Sequence, residues 1–173
     1  HCPSCAGTTP IGRARRSWMV RRTTGRQDLE AGQAPVTRTL IVIKAAVFLW
    51  TLITGGSMSG GGGDLTIDYG LVGYGRVRTG FLIDHVGVAE GEWWRIVTSA
   101  FLHGGIIHLA FNMFLLWMIG HQLERIQGPV RYLGLVLGSL TAGSLGVMLL
   151  DPLALTVGAS GAVFGLMGVT VAL

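Results

Sequence analysis

Four stretches of mostly apolar residues alternate with polar and glycine-rich segments along the chain. They predict membrane-spanning helices at residues 37–54, 104–120, 132–150 and 158–173. A helix needs about 20 apolar residues to cross the hydrocarbon core of a bilayer, and these stretches come close to that length. A buried helix of a soluble protein would fit any one of them, but the four together favour a membrane protein.

The composition supports this interpretation. Half of the 173 residues are hydrophobic and only 13% are charged, against about 25% in an average soluble protein. The 28 glycines suit membrane helices that pack closely on small residues. These figures exclude an ordinary soluble enzyme, a disordered tail and a disulfide scaffold. The predicted fold class is an all-α, polytopic bundle of membrane helices.

Residues 1–36 form a polar, arginine-rich tail ahead of the first span. A basic cluster beside a span marks the cytoplasmic side, so we expect a cytoplasmic N-terminus. Nucleic-acid binding is the less favoured alternative. Cys2 and Cys5 are half of a possible zinc ribbon, and a closed site needs four ligands. We therefore predict no metal site from this pair alone; a redox pair or no role are the rival interpretations.

The remaining topology follows from the inside position of the tail. The first span leads outward, and residues 55–103 form an external loop in which we expect short helices. Lys44, the single charge of the first span, is expected to extend towards the lipid headgroups. Arg125 and Arg131 then fall on the cytoplasmic side, as the positive-inside rule requires.

Polar residues inside spans are costly and are therefore functional candidates. His108 and Asn112 are four residues apart in the second span, on one helical face, and His103 lies just before them. Ser160 opens the fourth span. The topology places all four in the outer half of the membrane, so a serine, two imidazoles and an amide share one depth.

These residue types suit acyl transfer. A serine needs a base to remove its proton, and the developing oxyanion needs amide, imidazole or backbone N–H donors. Gly158 and Gly161 on either side of the serine allow close helix approach. Two structural alternatives stay open: small-residue packing, and a hydrogen-bonded His108–Asn112 pair. A metal site is disfavoured, because the two nearest histidines lack the usual spacing and an adjacent acid.

The order and spacing of four motifs resemble the rhomboid family of intramembrane serine proteases: Glu92-Trp-Trp-Arg95, His103-Gly-Gly-Ile-Ile-His108-Leu-Ala-Phe-Asn112, Gly120-His-Gln-Leu-Glu124 and Gly158-Ala-Ser-Gly161. The resemblance implies about six spans, of which four are present. It implies cleavage of transmembrane segments of membrane proteins, in the plasma (inner) membrane, without a cofactor and without nucleic acid. The tail resembles the end of a zinc-ribbon extension of some actinobacterial members.

The resemblance also implies a role for each matching residue. Ser160 would be the nucleophile, and His108 and Asn112 would stabilise the oxyanion. His103 would be structural or would retain water. Supporting roles fall to five further residues: Trp94 and Arg95 would anchor the external loop, Glu124 would brace the turn after the second span, Gly158 would pack against a sixth helix and Gly161 would allow close packing.

The general base of rhomboids is a histidine on the sixth span, and no histidine follows His121 here. We therefore expect the sequence to be a piece of a longer, active protein and to be inactive alone. One alternative is a non-proteolytic rhomboid-like protein that binds membrane clients. Another is an unrelated channel or transporter lined by His108 and Asn112.

Overall fold

A bundle of apolar helices makes up most of the computed structural model, which describes residues 34–60, 63–79 and 81–172. Cys2 and Cys5, the half of a possible zinc ribbon, and most of the arginine-rich tail lie outside these residues. The helices are α1 (Pro35–Ile53), α2 (Gly63–Tyr69), α3 (Arg95–Thr98), α4 (Ile106–Gln127), α5 (Pro129–Leu150) and α6 (Ser160–Ala172), and the strands are β1 (Gly75–Thr79) and β2 (Leu82–Val86).

Three helices, α1, α4 and α5, are long and apolar enough to cross a membrane. The predicted all-α membrane class is confirmed. Helix α6 is equally apolar but has 13 residues. Helix α5 leaves large apolar side chains exposed on its outer face, including Leu137, Leu145 and Leu149. Lipid would cover such a face at no cost, because hydrocarbon tails are as apolar as leucine.

The core lies where α4, α5 and α6 meet, around Leu116, Leu123, Tyr132, Val136 and Leu166. The chain between Leu116 and Gly120 is π-helical, which widens α4 locally. Helices α5 and α6 approach closely through glycines. A methyl group at Gly143 would lie 2.8 Å from the Gly161 Cα atom. Side chains larger than hydrogen would therefore push α6 away.

A buried carboxylate joins α4 to the start of α1 at one end of the bundle. Helix α1 begins at Pro35, where the absent N–H costs no hydrogen bond. The Glu124 carboxylate of α4 accepts hydrogen bonds from the Val36 and Thr37 backbone N–H groups and from the Thr37 hydroxyl, each at 2.8 Å. It thus satisfies donors that a helix N-terminus leaves free. These bonds tie the second span to the first.

The segment between α1 and α4 contains the predicted short helices, α2, α3 and the 3₁₀ turn Val88–Glu90, but also an unpredicted β-hairpin. Strands β1 and β2 are antiparallel, with Gly75 opposite Val86 and Thr79 opposite Leu82. The alternation of polar and apolar residues over 75–79 is a strand signal. The glycine and aromatic content of the whole loop obscured this signal, and only short helices were predicted there.

This loop is bonded to the segment that leads into α6. Leu71 and Thr156 exchange two backbone hydrogen bonds of 2.9 and 2.8 Å. The Gly73 and Tyr74 N–H groups both donate to the Pro152 carbonyl, at 2.8 and 3.0 Å. The loop between α1 and α4 therefore supports the chain directly before Ser160.

Lys44 does not extend towards the headgroups, so that prediction was wrong. Its side chain is only 4% exposed, and its ammonium donates to the Ala100 carbonyl. The ammonium also lies 4.5 Å from the centre of the Phe101 ring. A carbonyl and an aromatic face inside the protein compete successfully with the distant headgroups for this charge.

Candidate active site

Ser160 is the first residue of α6. The first hydrogen bond of this helix runs from the Val163 N–H to the Ala159 carbonyl, at 2.9 Å. The N–H groups of the first helical turn, from Ser160 to Ala162, therefore have no carbonyl of their own helix to bind. Ser160 is partly exposed. A hydroxyl and free N–H donors thus stand together at the positive end of a helix dipole.

Gly158 holds the approach to this helix against α4. Its φ of +118° lies in the region that favours glycine. A methyl group at Gly158 would lie 2.6 Å from Cε1 and 2.8 Å from Nε2 of His108. The Gly158 N–H donates to the Ser99 carbonyl at 2.9 Å. Only glycine therefore leaves room for the imidazole two residues before Ser160.

The imidazole of His103 packs against that of His108. The rings of His103 and His108 meet edge to face, with centroids 5.4 Å apart and planes at 66°. His103 is 2% exposed, and its Nδ1 lies 3.3 Å from the Phe101 carbonyl oxygen. Burial, together with the charge of Lys44, lowers the pKa of His103 to about 4. His103 is therefore neutral at physiological pH. Its Nε2 has no hydrogen-bond partner among the described residues.

Asn112 lies one helical turn beyond His108 and is 3% exposed. Its Nδ2 donates to the His108 carbonyl at 2.9 Å. One amide proton and the amide oxygen are left for other partners. The structure thus brings His108 to the chain beside Ser160, whereas the contact it shows for Asn112 is to its own helix.

A cavity of about 40 Å³ lies beside Ser160. Its polar lining comes from Ser99, Ser144, Thr156 and Ser160. A water molecule needs roughly 10–15 Å³ of such space and two to four polar partners. The cavity therefore has the size and the chemistry to hold water next to the serine hydroxyl.

Arg95 is a buried residue that holds together the loop between α1 and α4. It is 2% exposed, and its Nη1 donates to the Ile67 and Gly70 carbonyls at 2.7 and 2.8 Å. Its Nε donates to the Glu92 carboxylate at 2.6 Å. Burial raises the pKa of Glu92, but the hydrogen bonds from Arg95 and from the Gly87 N–H lower it more. Trp94 is half exposed beside this cluster.

In a comparison with known protein families, the model of the rhomboid domain matches residues 90–173. Residues 90–173 belong to the rhomboid family. This stretch contains Ser160, His108 and Asn112, together with Glu92 and Arg95. The resemblance inferred from the motifs is therefore confirmed for this half of the chain, and the chain is an integral membrane protein.

Three curated rhomboids illustrate the similarity. The chain is 45% identical over 86 residues to "Putative rhomboid protease YdcA" of Bacillus subtilis, covering 49% of this chain and 43% of that protein. It is 34% identical over 147 residues to "Rhomboid protease GluP" of the same organism, covering 85% and 26%. It is 46% identical over 83 residues to "RHOMBOID-like protein 5" of Arabidopsis thaliana, covering 47% and 27%. The match thus spans less than half of each relative.

Sequence reasoning missed two residues that line the cavity beside Ser160, Ser99 and Ser144, and the buried contact of Lys44. Ser99 accepts the Gly158 N–H, and Ser144 donates its hydroxyl to the Ile96 carbonyl at 3.1 Å. Lys44 reaches Ala100 from α1. The available signal was a polar residue in an apolar helix, which applied to Ser144 and Lys44. In the part of the chain that the structure describes, no cluster of potential metal ligands occurs.

Proposed function

We propose that this protein is an intramembrane serine endopeptidase that cleaves transmembrane segments of membrane proteins. The observation that carries the proposal is the position of Ser160 at the N-terminus of α6, beside an imidazole packed on Gly158. Free backbone N–H groups, an imidazole and a hydroxyl then meet at one end of an apolar bundle. Rhomboid membership of residues 90–173 supports the same reaction.

In this reaction the Ser160 Oγ attacks the scissile carbonyl carbon. The carbonyl oxygen becomes an oxyanion, which the Ser160 N–H, His108 and Asn112 stabilise by hydrogen bonding. His103 acts as a support that keeps the His108 ring in place, so that a ring N–H can point at the oxyanion. The tetrahedral intermediate then collapses: the C–N bond breaks, the amine leaves with the proton that the general base took from the Ser160 hydroxyl, and an acyl-enzyme remains. Water from the cavity beside Ser160 hydrolyses this acyl-enzyme, which releases the carboxylic acid and restores the serine hydroxyl.

The general base is the one component that the described residues do not supply. Ser160 Oγ forms no hydrogen bond with an imidazole among them, and the nearest imidazole, His108, is assigned to the oxyanion. No histidine follows His121 in the 173 residues. We place the base on a histidine of a later helix, outside this sequence. The 173 residues alone are then expected to be inactive.

An apolar groove beside His108 supports a hydrophobic substrate. It has a volume of about 670 Å³ and is lined mainly by Met58, Ile106, Ile107, Phe111 and His108. A transmembrane segment with small or helix-breaking residues would unwind there and expose its peptide bond. The arginine-rich tail supports a cytoplasmic N-terminus in the plasma (inner) membrane, which places Ser160 in the outer half.

Labelling with a fluorophosphonate probe tests the proposal. We would compare the full-length protein, its Ser160→Ala variant and the 1–173 chain, all in detergent. We expect labelling of the full-length protein alone. Labelling of 1–173 that depends on Ser160 would contradict the placement of the base. A folded full-length protein that does not label would contradict the protease and favour the alternative, a non-proteolytic protein that binds membrane clients.

A further inference from the structure

Lys44 occupies an unusual position for a lysine in a membrane-spanning helix. It is at the midpoint of the 19-residue helix α1, the most expensive depth for a charge. It is nevertheless 4% exposed, so neither lipid headgroups nor water solvate it. Among the residues that the structure describes, no carboxylate forms an ion pair with it. Its ammonium is held instead by the Ala100 carbonyl and the Phe101 ring.

The two groups that hold this ammonium belong to the segment 99–103, which supports the candidate active site. Ser99, next to Ala100, accepts the hydrogen bond that holds Gly158. Phe101 accepts the contact from His103 Nδ1, and His103 packs on His108. A short run of chain therefore connects Lys44 both to the approach to Ser160 and to the imidazole beside it.

A structural role alone does not account for this arrangement. Burying a charge without a carboxylate partner lowers stability, and an apolar side chain of the same length would fill the space without that penalty. A residue that is costly for the fold and in contact with a functional segment is typical of functional sites. The ammonium also offers what a methionine lacks, a directional hydrogen bond to one carbonyl.

We propose that Lys44 is a positioning residue, which fixes the segment 99–103 from the first span so that Gly158, His108 and Ser160 keep their catalytic arrangement. This inference rests on the proposed function for its effect on the reaction. Lys44 acts through the Ala100 carbonyl and the Phe101 ring and does not contact the reacting atoms. Its loss should lower kcat by on the order of 10²-fold, as small misplacements of catalytic groups do, and leave KM unchanged.

The experiment compares Lys44→Met with the wild type in the full-length protein. We expect the melting temperature to stay the same or rise, because an unpaired buried charge is removed, while kcat falls. Lys44→Arg, which keeps the charge and a donor, should recover part of the lost kcat. Thr51→Val is the matched control, since Thr51 is also buried in α1 but bonds its own helix at Val47. Its kcat should be unchanged.

Hydrogen–deuterium exchange separates this inference from the proposed function, because it needs no catalysis. In Lys44→Met we expect faster exchange at residues 99–103 and at the Gly158 amide, and unchanged exchange in α5. If the wild type proves catalytically inactive but exchange rises there, the protease proposal fails and the positioning survives. Unchanged exchange in that segment, or a kcat that falls only together with the melting temperature, would overturn the positioning role.

Discussion

The two ends of the bundle treat their buried polar groups in opposite ways. At one end the Glu124 carboxylate accepts three hydrogen bonds, two from backbone N–H groups and one from the Thr37 hydroxyl. At the other end the His103 Nε2 and the first N–H groups of α6 have no partner in the described part of the chain. Both oxygens of that carboxylate are bonded, although the nearby Tyr132 hydroxyl has no partner among the described residues, whereas the groups around Ser160 keep their hydrogen-bonding capacity free.

This difference separates groups that stabilise the fold from groups that are available for chemistry. The Glu124 carboxylate, which uses three of its roughly four acceptor sites on α1, lowers the energy of one arrangement of helices. Unsatisfied donors raise the energy of the empty site and gain partners when an oxyanion forms. We therefore expect substitutions at the Glu124 end to change stability, and substitutions at the Ser160 end to change turnover.

Glu124→Ala should have the largest effect. It leaves the Val36 and Thr37 donors unpaired inside the bundle, and we expect the free energy of unfolding to fall by roughly 3–5 kcal/mol. Denaturant unfolding in detergent would measure this. Gln122→Ala, an exposed neighbour on α4, is the control and should change little. A Glu124→Ala variant with an unchanged free energy of unfolding but a reduced kcat per folded molecule would contradict the distinction between the two ends.

Asn112→Ala should show the reverse pattern. If its free amide proton stabilises the oxyanion, kcat falls by about 10²–10³-fold while the melting temperature changes little. Thr141→Ala is matched to it, since the Thr141 hydroxyl also bonds a carbonyl of its own helix four residues earlier, at 2.9 Å. The Thr141 variant should keep its kcat. Equal kcat values for both variants would exclude Asn112 from the oxyanion site.

The neutral state of His103 predicts sensitivity to acid. Its pKa is about 4 in the folded protein, below the ordinary value of 6.5, so the unfolded chain binds more protons between these values. The free energy of unfolding should therefore fall as the pH drops from 6.5 to 4, by at most roughly 3 kcal/mol. His103→Gln should flatten this dependence, measured by thermal unfolding, and His85→Gln should retain it. An unchanged slope in His103→Gln would contradict a neutral, buried imidazole.

Gly158→Ala tests the closest contact of the site and should have the smallest effect on kcat. It adds backbone strain of about 1–2 kcal/mol and places a methyl group against His108. Gly91→Ala carries similar strain, at a φ of +95°, but meets no atom within 4 Å. Gly158→Ala should lose more stability than Gly91→Ala because of the contact with His108, and only Gly158→Ala should lose about tenfold in kcat. Equal kcat in both variants would show that the His108 contact is dispensable.

The long helices could be predicted because an apolar run of sufficient length has few alternatives in a membrane. The contact between Glu124 and Thr37 joins residues 87 positions apart, and no local pattern reports it. Lys44 was misplaced for a related reason. Its expected route to the headgroups assumed a helix face in lipid, whereas the Ala100 carbonyl covers that face. Tertiary contacts decide such positions.

For the candidate site, the sequence indicated a common depth for Ser160 and His108 but not how they meet. That depends on the positive φ of Gly158, which a sequence pattern cannot supply. The hairpin was missed because each of its strands has only five residues and they lie in a glycine-rich loop. Short strands show only a weak alternation of polar and apolar residues, and their stability depends on pairing with each other across the turn.

The four backbone hydrogen bonds between residues 71–74 and 152–156 have a mechanical consequence. They join the loop between α1 and α4 to the chain before Ser160, so that neither part can shift without breaking bonds to the other. Breaking them would cost about 0.5–1.5 kcal/mol each. Separating residues 71–74 from residues 152–156 is therefore costly in free energy. In the proposed function, a substrate would therefore reach Ser160 more easily between helices, from the lipid side, than through this hydrogen-bonded region.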